Sequence, residues 1–145
     1  MFWAGDGHDH WHVTGAQVSK LQKLGGQDVG TIKKVGFCFL DSYRYGSSRP
    51  ARYTSATSVC QTKPNGKVPM GVSVRWGDIY PSTFAYQWVD ITGLPNGDYK
   101  LKVIADPPDT TGGQFIESNE TNNRGWAKIR LSGRTVTVLA RSARP

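Results

Sequence analysis

The fold class is decided by the stretch Gly125–Ala140, which reads GWAKIRLSGRTVTVLA. Apolar and β-branched residues alternate with polar ones on both sides of Ser132-Gly133-Arg134. A break of this kind, with glycine at its centre, is typical of a hairpin turn. The stretch therefore predicts two antiparallel strands, Gly125–Leu131 and Thr135–Ala140.

Three more short runs have the β-branched or aromatic character of strands: Val35–Leu40, Tyr86–Ile91 and Tyr99–Ala105. The segment Leu94–Asp98 contains Pro and Asn-Gly, which predicts a tight connection. The nearest candidate for an amphipathic helix, Gly15–Leu24, is short and ends at two glycines. We therefore expect an all-β protein, with residues 1–145 forming a single antiparallel β-sandwich-like domain with long loops.

The only two cysteines, Cys38 and Cys60, flank a long polar stretch. This arrangement is typical of a loop-closing disulfide in an exported protein, and two free core thiols are the alternative. A bridge would contribute about 3 kcal/mol by loop closure. No apolar run is long enough to be a membrane span, so we expect no membrane partner. No apolar segment of a secretion signal follows Met1, which lies only seven residues before the first histidine, so we expect that upstream strands and a signal are missing from this sequence.

The net charge of +7 and the pI near 9.6 favour acidic partners. The basic residues are dispersed, however, and Lys33-Lys34 is their only adjacent pair. We therefore expect no nucleic-acid partner, and attribute the charge to solvation of the surface.

All three histidines, His8, His10 and His12, fall in the run Gly5–His12, GDGHDHWH. Alternate side chains of a strand share a face, so the three imidazoles point one way while Asp9 and Trp11 point the other. Imidazole suits copper, zinc, nickel or iron, and three nitrogen ligands leave positions open for substrate. The run predicts a metal site; a His-rich terminus or tag remnant is the alternative.

The spacing of the histidines also predicts a bend. Strand residues four apart lie ~13 Å apart, so the strand must bend for His8 and His12 to reach one ion. The glycines Gly5 and Gly7 would permit such a bend.

Beside the histidine run, four segments resemble the catalytic domain of the lysyl oxidase family, in a bacterial-type form. They occur in the family's order, between about Asp6 and Leu131: Lys34–Asp41 (KVGFCFLD), Gly71–Tyr80 (GVSVRWGDIY), Gln87–Thr92 (QWVDIT) and Glu117–Asn123 (ESNETNN).

The resemblance implies a copper-dependent amine oxidase with a lysine tyrosylquinone, a cofactor made from a lysine and a tyrosine of the chain itself. His8, His10 and His12 match the copper(II) ligands, Lys34 the cofactor lysine and Tyr80 the cofactor tyrosine. The implied reaction oxidises primary amines, including lysine side chains of proteins, with dioxygen, and releases aldehyde, hydrogen peroxide and ammonia. An extracellular location is also implied.

Each of these assignments has an alternative in the sequence. The alternatives for Lys34 are that it is a solvated surface lysine, or that its neighbour Lys33 takes the cofactor role. The alternative for Tyr80 is a packed loop tyrosine, and a second tyrosine, Tyr86, lies close by in the sequence. Asp78 is our candidate for the base that removes the α-proton of the amine, because residues two apart on an extended segment share a face. A turn-stabilising aspartate is its alternative.

The closing segment offers oxygen ligands of the kind that calcium takes, and it matches the family's calcium-binding segment at Glu117, Asn119, Asn122 and Asn123. The family has Asp at the position of Asn119, and the upstream ligands are absent here. A polar turn with backbone-capping Asn side chains is the alternative.

Two other functions are compatible with the histidine cluster. The first is a non-catalytic β-sandwich that binds metal. The second is a zinc hydrolase, which needs a general base beside the histidines, whereas Asp9 is predicted on the opposite face.

Overall fold

The computed structural model describes residues 1–4, 9–32, 36–46, 49–63, 65–81, 83–84, 88–107, 115, 119 and 121–143, with the backbone alone at 31–32. In these ranges the protein is all-β, as predicted, with one 3-10 turn at Ser55–Thr57. Its strands are β1 Phe2–Ala4, β2 His10–His12, β3 Gln17–Lys23, β4 Asp28–Val29, β5 Thr31–Ile32, β6 Tyr43–Arg44, β7 Trp76–Gly77, β8 Val89–Asp90, β9 Gly97–Ala105, β10 Arg124–Ser132 and β11 Thr135–Arg141.

The chain divides into two compact units. Unit 1 comprises Met1–Thr14 and Val35–Ala85, and unit 2 comprises Gly15–Lys34 and Tyr86–Pro145. A single domain over residues 1–145 stays a prediction. No helix in the described part of the chain has the length and apolar character needed to cross a membrane.

Unit 2 contains a five-stranded antiparallel sheet in the order β11-β10-β9-β3-β4. The predicted hairpin is confirmed: Ser132 pairs with Thr135 across a turn in which Gly133 has a φ of 57°. A positive φ is readily adopted by glycine, so the break in the alternation falls where the backbone needs it. The predicted strand Tyr99–Ala105 is also confirmed, as part of β9.

The strand β3, which the sequence did not predict, lies in the sheet between β9 and β4. Most of its side chains are polar, so it shows little apolar alternation, and tertiary pairing with β9 determines its conformation. Leu21 of this strand is 2% exposed and packs with Tyr99, Ile129 and Leu131 in the core of unit 2.

Unit 1 is built from short elements. Strands β1 and β2 form an antiparallel pair, β6 pairs with β7, and the buried residues Cys38, Val59 and Cys60 form a small core. The predicted strand Val35–Leu40 is wrong for residues 36–40, where the structure has only an isolated bridge between Phe37 and Val13. The other partners of this segment are loop residues, such as Gly71, which donates to the Phe39 carbonyl, so no regular ladder forms.

The predicted strand Tyr86–Ile91 is confirmed in part within its described residues, 88–91. Only Val89–Asp90, strand β8, is extended and paired, and its partner in unit 2 is β5. Residues 86–87 lie outside the described residues.

We expect Leu21→Ala to lower the free energy of unfolding by about 2–5 kcal/mol, because it leaves a cavity in the core of unit 2. Leu24→Ala is the matched control, since Leu24 is 59% exposed and its truncation should cost far less. Urea unfolding followed by circular dichroism measures both. Equal losses would contradict the placement of Leu21 in the core.

Candidate metal and tyrosine site

The histidine strand β2 brings two of the three predicted metal ligands together. His10 and His12 lie on one face of β2, opposite Ala4 and Phe2 of β1. Their Nε2 atoms are 2.9 Å apart, and the Phe2 ring packs edge-on against the buried His12 ring. The alternation of side chains predicted from the sequence thus places both imidazoles as expected.

A bend in the chain falls immediately before these two histidines. Asp9 has a φ of 46°, in the left-handed region that Asp and Asn enter more readily than other side chains. Its carbonyl accepts a hydrogen bond of 2.9 Å from the Gln61 amide, which fixes the position of the bend. Gly5 and Gly7, which were expected to supply the bend, lie outside the described residues, as does His8.

The two imidazoles fit a metal ion. Metal ions of this class bind imidazole nitrogen at about 2.0–2.1 Å, so one ion reaches two Nε2 atoms that are 2.9 Å apart. In the described part of the chain, no group of three or more His, Cys, Asp or Glu residues is arranged to hold a metal. Because His8 is outside that part, the described pair is two-thirds of the proposed ligand set.

The segment 36–38 connects the histidine strand to Tyr80. A Cβ at Gly36 would lie 2.9 Å from the His12 Cβ, so glycine permits the close approach. Val13 and Phe37 exchange two main-chain hydrogen bonds, of 2.8 and 2.9 Å. The next residue, Cys38, contacts Tyr80 through its main chain.

The Tyr80 hydroxyl makes two hydrogen bonds to one residue. It donates to the Cys38 carbonyl and accepts from the Cys38 N–H, both at 2.9 Å. The Phe37 ring packs edge-on against Tyr80 at 5.2 Å, and the Phe84 ring does so at 6.3 Å. The loop that carries Tyr80 is thereby attached to segment 36–38.

The surroundings of Tyr80 favour its neutral form. Burial raises the pKa of the Tyr80 phenol, and the negative charge of Asp78 raises it further. The hydrogen bond from the Cys38 N–H opposes this shift but does not overcome it, so the pKa lies well above its ordinary value. Tyr80 is therefore a protonated phenol in the folded chain at neutral pH.

The predicted disulfide between Cys38 and Cys60 is confirmed, and the alternative of two free thiols is wrong. Cys60 is completely buried, and its carbonyl accepts a hydrogen bond of 2.9 Å from the N–H of Trp11 in β2. The bridge therefore links the residue that holds Tyr80 to the residue that holds the histidine strand.

Asp78 follows β7 and shares contacts with Ser42, a residue that the sequence did not single out. The Ser42 hydroxyl donates to the Asp78 carboxylate at 3.0 Å and accepts from the Ile79 N–H at 2.7 Å. These bonds agree with a turn-stabilising role, while the effect of Asp78 on the pKa of Tyr80 agrees with a site residue. A lone serine in a polar loop carries no sequence signal that would have identified Ser42.

The predicted calcium segment has the contacts of a polar turn. The Asn119 side-chain oxygen accepts from the Thr121 N–H at 2.9 Å and from the Thr121 hydroxyl at 2.6 Å. The Asn123 carbonyl accepts from the Ala105 N–H, which ties the segment to the end of β9. Asn122 lies between them in the turn, and Glu117 lies outside the described residues, so calcium binding stays a prediction.

Lys34, the predicted partner of Tyr80, lies outside the described residues, as do its alternative Lys33 and the alternative tyrosine Tyr86. The pairing of Lys34 with Tyr80 stays a prediction.

Comparison with known proteins identifies the family. Residues 2–140 match the family model described as lysyl oxidase, and the chain belongs to this family. Lysyl oxidase homolog 2 of Xenopus tropicalis is 30% identical over 132 residues, which is 90% of this chain and 15% of that protein. Lysyl oxidase homolog 1 of Homo sapiens is 29% identical over 134 residues, which is 90% of this chain and 21% of that protein.

The chain thus spans about a fifth or less of the curated relatives that it matches.

We expect Tyr80 to contribute no phenolate absorbance while the chain is folded between pH 9 and pH 11, because its pKa is raised. Ultraviolet titration of the wild type and of Tyr80→Phe should therefore give equal absorbance changes over this range. The folded chain holds the phenol proton more tightly than the unfolded chain does. This contribution to stability is complete below about pH 10, the ordinary pKa of an unfolded tyrosine, and is lost as the pH rises through the raised pKa. A smaller absorbance change in Tyr80→Phe, by one tyrosine's share, would contradict the raised pKa of Tyr80.

Proposed function

We propose that this protein is a copper(II)-dependent oxidase of primary amines, which converts them with dioxygen to aldehydes and releases hydrogen peroxide and ammonia. The main support is that the His10 and His12 Nε2 atoms lie 2.9 Å apart on β2. Val13, the residue after this strand, is bridged to Phe37, and the next residue, Cys38, holds the Tyr80 hydroxyl. Lysine side chains of proteins are the proposed substrate, in keeping with family membership.

In this proposal His8, His10 and His12 hold the copper ion through neutral imidazole nitrogens. Bound copper would supply one-electron redox chemistry with dioxygen next to an oxidisable phenol. The edge-on packing of Phe2 on His12 and the close approach of Gly36 hold the His12 ring in place. A zinc hydrolase is less well supported, because it needs a general base and Asp9 instead bends the chain.

We also propose that Tyr80 and Lys34 supply the lysine tyrosylquinone. Tyr80 is partly buried, with the rings of Phe37 and Phe84 packed edge-on against it and its hydroxyl held by the main chain. Lys34 precedes Cys38 by four residues in the sequence, and Cys38 is the residue that holds Tyr80. When formed, the cofactor would supply an electrophilic carbonyl for the substrate amine.

Asp78 is the proposed base for the α-proton of the substrate amine. It lies two residues from Tyr80, and its carboxylate acts electrostatically on the phenol. The Ser42 hydroxyl would orient this carboxylate through its hydrogen bond to Oδ1. A positioned carboxylate of this kind contributes to the rate by general base catalysis.

An extracellular location is part of the proposal, because disulfides such as Cys38–Cys60 form and persist in oxidising compartments. One observation favours a second candidate, a non-catalytic metal-binding module. The Tyr80 hydroxyl is held by the main chain of Cys38 through two hydrogen bonds, which is also how a purely structural tyrosine can be held.

We expect His10→Ala to lose most of its bound copper, because it removes one of the two converging Nε2 atoms. Thr14→Ala is the control, an exposed change close to the end of the same strand that should leave the copper content unchanged. Metal analysis of purified, copper-loaded protein gives the stoichiometry. Undiminished copper in His10→Ala would count decisively against the ligand assignment.

We expect Tyr80→Phe to abolish the quinone absorbance, the Lys34–Tyr80 cross-linked peptide and peroxide release from a primary amine. Tyr45→Phe is the matched control, since Tyr45 is 61% exposed and should keep all three. The measurements are absorbance and peptide mass spectrometry after aerobic copper loading, followed by a coupled peroxide assay. If Tyr80→Phe still oxidises amines and no cross-linked peptide forms in the wild type, the oxidase proposal fails and the metal-binding module replaces it.

A further inference from the structure

Unit 1 contains a pocket of about 460 Å³ that involves neither the histidines nor Tyr80. Two chain segments form it, residues 49–53 and residues 72–74. Its volume is within the range of about 300–1,000 Å³ that is usual for sites binding small organic molecules. The pocket therefore has room for a ligand or for a side chain of another molecule.

The walls of this pocket combine apolar surface with positive charge. Pro50, the Tyr53 ring, Val72 and Val74 supply the apolar part, and Arg49 and Arg52 supply the cationic part. No acidic residue occurs among the lining residues, all of which belong to the part of the chain that the structure describes. A surface with these two properties complements a ligand that carries an anionic group on an apolar body.

Both segments are held in place by one buried carboxylate behind the pocket. Asp41 accepts hydrogen bonds from the N–H groups of Arg52 and Tyr53, at 2.8 and 3.1 Å, and from the N–H and hydroxyl of Ser73, both at 2.7 Å. A Cβ at Gly71 would lie 2.8 Å from the Tyr53 ring, so glycine lets the two segments approach. The pocket is thus shaped before any ligand arrives, which lowers the cost of binding.

The charge of Asp41 does not cancel the attraction for an anion. Its carboxylate is buried, and although burial opposes its ionisation, the bonds from Ser73, Tyr53 and Arg52 keep the pKa of Asp41 below its ordinary value. The four hydrogen-bond donors stabilise the negative charge of this carboxylate. Arg52 is exposed and lines the pocket, and its guanidinium forms no ion pair with any carboxylate among the described residues.

We propose that this pocket binds an organic carboxylate with an apolar body, paired with the Arg52 guanidinium and packed against Val72, Val74 and the Tyr53 ring. The carboxylate comes either from a free organic acid or from an acidic side chain in an apolar peptide. Arg is suited to this role because its planar guanidinium binds a carboxylate through two parallel hydrogen bonds.

The test uses calorimetric titration of the whole chain with two pairs of probes. Hexanoate is compared with hexanamide, and acetyl-Leu-Glu-Leu-amide with acetyl-Leu-Gln-Leu-amide, so that each pair differs in charge but hardly in shape. Arg52→Met should weaken carboxylate binding roughly ten- to a hundredfold, because a charged hydrogen-bonded pair is lost. Arg134→Met makes the same charge change at an exposed site in unit 2 and should leave binding unchanged.

A second variant keeps the test valid if Arg52→Met does not fold. Val74 is 66% exposed, and Val74→Glu adds a negative charge to the pocket wall with little loss of packing. It should weaken hexanoate binding as much as Arg52→Met does, and higher salt should weaken binding to the wild type.

The two probe pairs also separate the sources of the carboxylate. Tighter binding of the glutamate peptide assigns the pocket to an acidic protein segment, and tighter binding of hexanoate assigns it to a free acid. The proposal is overturned if neither carboxylate binds better than its amide, or if Arg134→Met weakens binding as much as Arg52→Met.

Discussion

The arrangement of unit 1 depends on Cys38, whose main chain and side chain bind two different partners. Its N–H and carbonyl hold the Tyr80 hydroxyl, and its sulfur is bonded to Cys60. The Cys60 carbonyl in turn holds Trp11, between the two histidines of β2. Three stretches that are distant in sequence are therefore fixed around one covalent link.

The disulfide stabilises unit 1, in which few apolar side chains are buried. Its strands are only two or three residues long, and its buried core beside the disulfide is small. A bridge that closes a long loop removes conformational entropy from the unfolded chain, which matters most where few apolar residues are buried. Unit 2 instead contains four strands of seven or nine residues and an apolar core around Leu21 and Tyr99.

The elements that the sequence predicts correctly are those whose structure is determined by neighbouring residues. The hairpin of β10 and β11 has its turn glycine and its alternation within one continuous stretch, and the histidines share a face because they alternate. The elements that the sequence does not predict are those whose conformation depends on partners distant in the chain. Strand β3 has few apolar residues and is extended because β9 pairs with it, whereas residues 36–40 look like a strand but contact loops. The roles of Ser42 and Asp41 also come from partners more than ten residues away, which composition does not reveal.

The double hydrogen bond between Tyr80 and Cys38 implies a conformational cost for any chemistry on the phenol. Displacing the ring from this position would break both bonds and the contacts with Phe37 and Phe84. The neighbouring residues Ile79 and Phe84 are about half exposed, and the Ile79 N–H donates a hydrogen bond to Ser42. These contacts therefore oppose any movement of the Tyr80 ring away from Cys38.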